Sequence, residues 1–147
     1  MQGSKITKSI AIIGLGVLGS AIASFLLENR FQVYGFDISK KALAKLNNNK
    51  KFYACGSIDE IFYNESNILL CLPSAGSLHE VMKAIPNGKE PEKNRRLLIE
   101  LSTLPVDSKE KAREIARKKN IQIVDSPLSG NRVVALQGKL SAYLSGD

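Results

Sequence analysis

Blocks of apolar residues alternate with mixed blocks along the chain, and the period of the apolar positions changes from one block to the next. Residues 9–13 are mostly apolar and β-branched, which is typical of a buried strand. From Leu18 the apolar residues recur three or four positions apart until about Asn29, which predicts a helix with one buried face. The first two elements are therefore a strand and a helix.

The same alternation continues along the rest of the chain. It predicts strands at 31–37, 52–56, 67–73, 96–103 and 121–125, and helices at 40–48, after Ser57, at 77–85 and at 105–119. Ser39 is a candidate helix cap, and Ser57 with Glu60 forms a capping-box pattern. We expect an exposed loop at 86–96, and a loop with one final strand in the tail from Leu128. This order predicts an α/β fold with a doubly wound, mainly parallel sheet and helices on both faces.

The junction between the first strand and the first helix carries three glycines and admits two readings. Residues 10–27 include no charged residue and follow two lysines, as in a secretory signal peptide. The same stretch places Gly14, Gly16 and Gly19 in GxGxxG spacing between a strand and a helix. That spacing allows a tight turn, room for a pyrophosphate and close packing of helix on strand. It favours a Rossmann-type dinucleotide-binding turn over a targeting segment or a turn without ligand. The turn consists of Gly14, Leu15, Gly16, Val17, Leu18 and Gly19.

An acidic residue ends the second predicted strand. Asp37 occupies the position from which a carboxylate accepts hydrogen bonds from the adenosine ribose. A carboxylate here also repels a 2′-phosphate, which favours NAD over NADP, although Lys40 and Lys41 are close enough to reach such a phosphate. Asp37 could instead cap the next helix, and the two roles can coexist.

Composition narrows the class of protein without selecting one. The 147 residues are 44% hydrophobic and 24% charged, which suits one soluble domain. The net charge of +7 is interleaved with acids and has no aromatic partners, so we expect an anionic cofactor and no nucleic acid. Beyond the N-terminal stretch, no segment predicts a membrane span. Cys55 and Cys71 fit no metal-binding spacing, so we expect free thiols in a reducing, cytoplasmic setting and no metal site.

Four short motifs, taken in order, resemble those of one enzyme family. IIGLGVLGSAIA resembles the opening fingerprint of the β-hydroxyacid dehydrogenases, which include 3-hydroxyisobutyrate and 6-phosphogluconate dehydrogenases. CLPS, LST and DSPLSG resemble the LPxS, SST and DAPVSGG segments of that family. The resemblance covers nearly the whole chain. It implies that Leu72 and Pro73 line the cofactor, that Ser77 replaces a cofactor-contacting Asn, and that Thr103 lies near the nicotinamide.

By the same resemblance, the segment after the sixth strand holds the substrate. Ser129, Gly130 and Asn131 would offer a hydroxyl and backbone N–H groups to a carboxylate. Asn131 replaces the second glycine of the family motif, and Val133 replaces a further small residue, so we expect a pocket of different shape. Arg132 could contact an acid, but a solvent-facing arginine is the simpler interpretation.

The resemblance also implies a general acid/base that this sequence does not match. Family members continue into a helical domain with a catalytic lysine, whereas this sequence ends at Asp147 and no lysine in it matches that motif. His79, the only histidine, belongs to no motif. We therefore expect a single Rossmann-type domain, residues 1–147, without the family's helical domain. It would be the cofactor-binding domain of an NAD(P)-dependent oxidoreductase that acts on a β-hydroxy acid. We expect this domain to be inactive on its own, and a homo-oligomer is possible. A stand-alone, non-catalytic module that binds or senses a dinucleotide is the alternative.

Overall fold

The computed structural model describes residues 8–86 and 96–145, and its centre is a six-stranded sheet. The strands are β1 (Ser9–Ile13), β2 (Gln32–Phe36), β3 (Phe52–Ala54), β4 (Asn67–Leu70), β5 (Leu97–Glu100) and β6 (Gln122–Asp125). Neighbouring strands pair in parallel in the order β3-β2-β1-β4-β5-β6. From β1 in the middle of the sheet, the chain winds to one edge, returns, and winds to the other edge, which is the doubly wound Rossmann topology. The predicted fold class is confirmed.

Helices cover both faces of this sheet because successive side chains of each strand point to opposite faces. The helices are α1 (Val17–Glu28), α2 (Lys40–Ala44), α3 (Ile58–Asn64), α4 (Ala75–Ala84), α5 (Val106–Lys118) and α6 (Arg132–Leu136). In β1, Ala11 and Ile13 pack in the core beneath α3, α4 and α5, whereas Ile12 packs in the core beneath α1 and α2. The short α6 packs against α1.

The tail differs from its prediction. Instead of a loop and one final strand, it forms α6 between two short strands, β7 (Leu128–Ser129) and β8 (Ser141–Ala142), which pair in antiparallel fashion. Asn131 caps this helix, since its Oδ1 accepts hydrogen bonds from the N–H groups of Val133 and Val134 at 3.0 and 3.1 Å. The cap nucleates a helix of five residues, a length at which apolar periodicity gives no signal.

The second helix is also shorter than predicted. It ends at Ala44 instead of residue 48, and the chain continues in turns through a run of asparagines, which favour turns over helix interiors. Ser39 occupies the N-cap position of α2, as predicted, but its side chain makes no capping hydrogen bond. The cap at Ser57 is confirmed, since its Oγ accepts from the N–H of Glu60 at 3.1 Å. The predicted loop lies, apart from its ends, outside the described residues.

None of the helices in the described part of the chain combines the length and the apolar content needed to cross a membrane.

Candidate cofactor-binding site

Two glycines of the turn between β1 and α1 are required by the fold itself. Gly14 has a φ of +95°, and a Cβ at this position would lie 2.2 Å from the carbonyl oxygen of Cys71. A Cβ at Gly19 would lie 2.0 Å from the carbonyl oxygen of Gly14. Any side chain at either position would collide with backbone. The turn therefore packs β1, α1 and the end of β4 against one another as tightly as backbone permits.

Gly16 differs from these two glycines because it faces open space. A Cβ at Gly16 would meet nothing within 4 Å. Gly16 also precedes the first turn of α1, where no side chain of the described residues caps the helix and no acidic residue is present. The helix N-terminus thus directs backbone N–H groups and the positive end of its dipole toward solvent. Val17 is exposed and Leu18 is half-buried beside it. This cradle fits a pyrophosphate, and a side chain at Gly16 would occupy it.

Asp37, the predicted ribose anchor, lies beside the glycine turn. Its Oδ2 accepts a hydrogen bond from the N–H of Leu15 at 2.7 Å, and its Oδ1 accepts from the N–H of Ser39 at 2.7 Å. The side chain of Leu15 is itself buried in the core, so Leu15 contributes only backbone to the surface of the turn. Asp37 therefore supports the turn and also holds the backbone of Ser39, the residue before α2, although no side chain of the described residues caps that helix.

The segments predicted to line the nicotinamide meet at the same edge of the sheet. Leu72 and Pro73 follow β4, and Thr103 follows β5, its neighbour. The two loops are joined directly, because the Oγ of Ser102 accepts a hydrogen bond from the N–H of Leu72 at 2.9 Å. Pro73 and Thr103 are exposed. Since β1 pairs with β4 in parallel, these loops lie at the carboxyl edge that also carries the glycine turn.

Ser77, the remaining predicted cofactor contact, lies in the first turn of α4. Its N–H donates a hydrogen bond to the Oγ of Ser74 at 3.1 Å, and the two hydroxyls are 2.9 Å apart. Ser77 is half-buried in this cap. His79 lies further along α4 and is exposed.

The predicted substrate residues follow β6 at the same edge. Ser129 and Gly130 are exposed, and Ser129 pairs across β7 and β8 with Ser141. Asn131 is also exposed, but its Oδ1 is occupied by the cap of α6, which leaves its amide nitrogen for a ligand. A ligand at this edge would therefore meet a hydroxyl and N–H donors, which suit a carboxylate.

Sequence reasoning missed a charged cluster beneath these loops. The Nζ of Lys109, on α5, ion-pairs with Glu100 at 2.9 Å and with Asp125, and donates to the carbonyl oxygen of Ser102 at 2.7 Å. Glu100 is only 2% exposed, although it ends a strand of otherwise apolar residues. That one acid in LLIE was the signal available in the sequence. The cluster borders a cavity of about 330 Å³ between α4, α5 and the ends of β5 and β6.

Within residues 8–86 and 96–145, no group of three or more His, Cys, Asp and Glu side chains could hold a metal ion.

Known proteins share both the sequence pattern and the fold. The 2-(hydroxymethyl)glutarate dehydrogenase of Eubacterium barkeri is 29% identical over 140 residues, which cover 90% of this chain and 44% of that enzyme. The 3-hydroxyisobutyrate dehydrogenase of Pseudomonas aeruginosa is 27% identical over 150 residues, which cover 93% of this chain and 46% of that enzyme. The chain thus spans about half the length of the curated relatives it matches.

The solved structure of Mycobacterium tuberculosis 3-hydroxyisobutyrate dehydrogenase with L-serine has the same fold. It superposes with a TM-score of 0.83 at 21% identity, over 97% of this chain and 47% of that one. Residues 9–147 match the family described as the NAD binding domain of 6-phosphogluconate dehydrogenase. With the glycine turn, the acid after β2 and the four ordered motifs in place, the chain belongs to this family of NAD-binding domains.

Proposed function

We propose that residues 1–147 form the cofactor-binding domain of an NAD-dependent oxidoreductase that acts on a small β-hydroxy acid. The observation that carries this proposal is the open space at Gly16 in front of an uncapped helix N-terminus. The fold needs glycine at Gly14 and Gly19, but it does not need glycine at Gly16. A bound pyrophosphate explains why that position has no side chain.

The dinucleotide would extend across the carboxyl edge of the sheet. Its pyrophosphate would contact the turn at Gly16 and Val17, and its adenosine ribose would contact Asp37. Its nicotinamide would lie toward Pro73 and Thr103, on the side of the substrate segment. The cofactor supplies hydride transfer, and the residues of this chain bind and orient it.

NAD is proposed over NADP because a carboxylate at Asp37 repels a 2′-phosphate. Both Lys40 and Lys41 are exposed at the start of α2, where they are the residues that would favour NADP instead. Cys55 and Cys71 are free thiols, which supports a reducing, cytoplasmic location.

A small hydroxy acid is proposed as substrate on two grounds. The relatives are named for 2-(hydroxymethyl)glutarate and 3-hydroxyisobutyrate, which are both carboxylates with a hydroxyl group. In this chain, the exposed hydroxyl of Ser129 and the segment through Gly130 and Asn131 offer donors to a carboxylate. A homo-oligomer is compatible with this proposal.

The alternative is a stand-alone module that binds or senses a dinucleotide without turnover. A reading frame that continues past Asp147 into helices with the family's lysine would favour the dehydrogenase, and a module would lack them. In both cases we expect this chain alone to bind NADH and not to catalyse, because no residue in it matches the proton acceptor. General acid/base assistance accounts for about 10² to 10⁴ in rate.

The test is to incubate the purified chain with NAD and either 3-hydroxyisobutyrate or 2-(hydroxymethyl)glutarate, and to follow NADH absorbance. We expect no turnover above the rate without protein, alongside measurable NADH binding. Turnover that is lost in His79→Ala would show that the chain is itself the complete enzyme. Absence of NADH binding would contradict the cofactor-binding role.

A further inference from the structure

Lys109 contacts the ends of β5 and β6 and the loop that follows β5. We name Glu100, Ser102, Lys109 and Asp125 the Lys109 cluster. The Nζ of Lys109 lies 2.9 Å from Oε2 of Glu100, at the end of β5, and ion-pairs with Asp125, at the end of β6. It also donates to the carbonyl oxygen of Ser102 at 2.7 Å. Glu100 and Asp125 are paired in register on neighbouring strands, so one lysine reaches both carboxylates.

The cluster continues to the segment that follows β4. Oε1 of Glu100 accepts a hydrogen bond from the N–H of Ser102 at 2.8 Å, which fixes the loop after β5. The Oγ of Ser102 then accepts from the N–H of Leu72 at 2.9 Å. A continuous series of contacts therefore runs from Lys109 through Glu100 and Ser102 to Leu72. On its other side, Asp125 directly precedes the segment that carries Ser129.

Burying the charges of this cluster costs free energy unless each charge has its partner. The side chains of Glu100 and Lys109 are 2% and 15% exposed, and buried charges are tolerated only when paired. Apolar residues would fill the same space at no such cost. Unlike apolar packing, the contacts of a charged group are directional, and Lys109 bonds to acceptors on two strand ends and one loop at once.

We propose that Lys109 is a positioning residue for the nicotinamide end of the cofactor. It holds the loops after β4 and β5 in the geometry that receives the nicotinamide, and it does so through Ser102 without touching the cofactor. This inference rests on the proposed function, because it assigns a support to the same site.

The electrostatics of the cluster exclude a role for Lys109 as the proton acceptor. Burial alone would lower the pKa of Lys109, but the hydrogen bonds and charges of Asp125 and Glu100 outweigh it and raise the pKa above its ordinary value. Lys109 therefore stays protonated at neutral pH and has no free pair to accept a proton. Its function in the site is that of a fixed cation.

The test compares two ligands that differ at the nicotinamide. Dissociation constants of NADH and of ADP-ribose, which lacks the nicotinamide, are measured by calorimetry for the wild-type chain and Lys109→Met. We expect NADH to bind about three- to tenfold more weakly to the variant, the effect of about one hydrogen bond, while ADP-ribose affinity changes little. Lys109→Arg should restore much of the NADH affinity, since it keeps the charge.

Lys119→Met is the matched control. The Nζ of Lys119, just beyond α5, donates to the carbonyl oxygens of Lys83 and Ile85 at the end of α4, away from the cofactor loops. This variant removes hydrogen bonds that a half-buried lysine makes to backbone carbonyls, so it should leave the ratio of the two dissociation constants unchanged.

A second variant keeps the test decisive if Lys109→Met does not fold. Ser102→Ala removes the Oγ that accepts from Leu72 without unpairing any charge, and it should weaken NADH and not ADP-ribose. An unchanged ratio in the folded variants overturns the inference and leaves the proposed function intact. A wild-type chain that binds neither ligand overturns the proposed function, and the inference with it.

Discussion

The backbone N–H of Leu15 donates a 2.7 Å hydrogen bond to Oδ2 of Asp37, so the carboxylate predicted to hold the ribose also holds the glycine turn. This bond links the loop that follows β1 to the end of β2. Because each carboxylate oxygen can accept more than one hydrogen bond, Asp37 remains able to receive ribose hydroxyls. Support of the turn and recognition of the ribose thus depend on the same side chain.

We predict that Asp37 selects NAD over NADP. Asp37→Ala should weaken NAD binding about 10- to 100-fold, because hydrogen bonds to a charged acceptor contribute about 1.5 to 3 kcal/mol. NADP binding should weaken far less, since the variant also removes a repulsion. Competition between NAD and NADP against NADH fluorescence measures both effects.

Asp59→Ala serves as the control for that experiment. Asp59 is an exposed acid in the first turn of α3, so its removal changes net charge equally but leaves the turn and the ribose position untouched. A wild-type preference for NADPH would contradict the assignment of Asp37 and would credit Lys40 and Lys41 instead.

Of the three glycines of the turn, Gly14 and Gly19 should be needed for stability, whereas Gly16 should not. Gly14→Ala and Gly19→Ala should each lower the free energy of unfolding by about 2 kcal/mol or more, because the new Cβ collides with backbone. Urea unfolding followed by circular dichroism measures the loss. Gly16→Ala makes the same chemical change in open space, so its free energy of unfolding should stay near that of wild type. Equal destabilisation by all three variants would show that the turn is not packed as described.

The two thiols should make stability depend on pH in the alkaline range. Burial, with smaller contributions from nearby glutamates, raises the pKa of Cys55 and of Cys71 from 9.0 to about 11. The folded chain therefore holds the thiol proton more tightly than the unfolded chain. This contribution to the free energy of unfolding is fully present below pH 9 and is lost as pH rises from there toward 11.

Urea unfolding at several pH values across this range measures the alkaline loss. Cys55→Ala removes one of the two titrating thiols, so its loss of stability between pH 9 and 11 should be smaller than that of wild type. An identical pH profile in both proteins would refute the contribution of Cys55.

Much of the site was predictable because each motif combines local sequence with a place in the fold. The glycines follow a strand and open a helix, and an acid ends the next strand, so both fall at the carboxyl edge once the sheet is parallel. The strand at Leu97–Glu100 and the helix at Val106–Lys118 fall within the predicted ranges 96–103 and 105–119, because an apolar run indicates the strand and a proline suits the start of the helix. The hydrogen bond from Leu15 to Asp37 does not, because the sequence shows only that Asp37 could cap a helix or bind a ribose.

The rest of the site could not be predicted, because it depends on which strands are neighbours in the sheet and on the register in which they pair. Lys109, Glu100 and Asp125 meet only because β5 and β6 are neighbours, with Glu100 paired to Asp125. Sequence periodicity gives the strands but not which carboxylate faces which lysine. The helix at Arg132–Leu136 was missed for a different reason, since it depends on the cap at Asn131 and not on an apolar face.

Titration of NADH into the wild-type chain and into Gly16→Val, followed by nicotinamide fluorescence, tests the central claim most directly. The account predicts that wild type binds and that the variant loses binding, because the valine fills the space of the pyrophosphate. It also predicts that circular dichroism and the unfolding midpoint of the variant stay close to wild type. Equal NADH affinity in a folded Gly16→Val variant would show that the turn between β1 and α1 does not hold the dinucleotide.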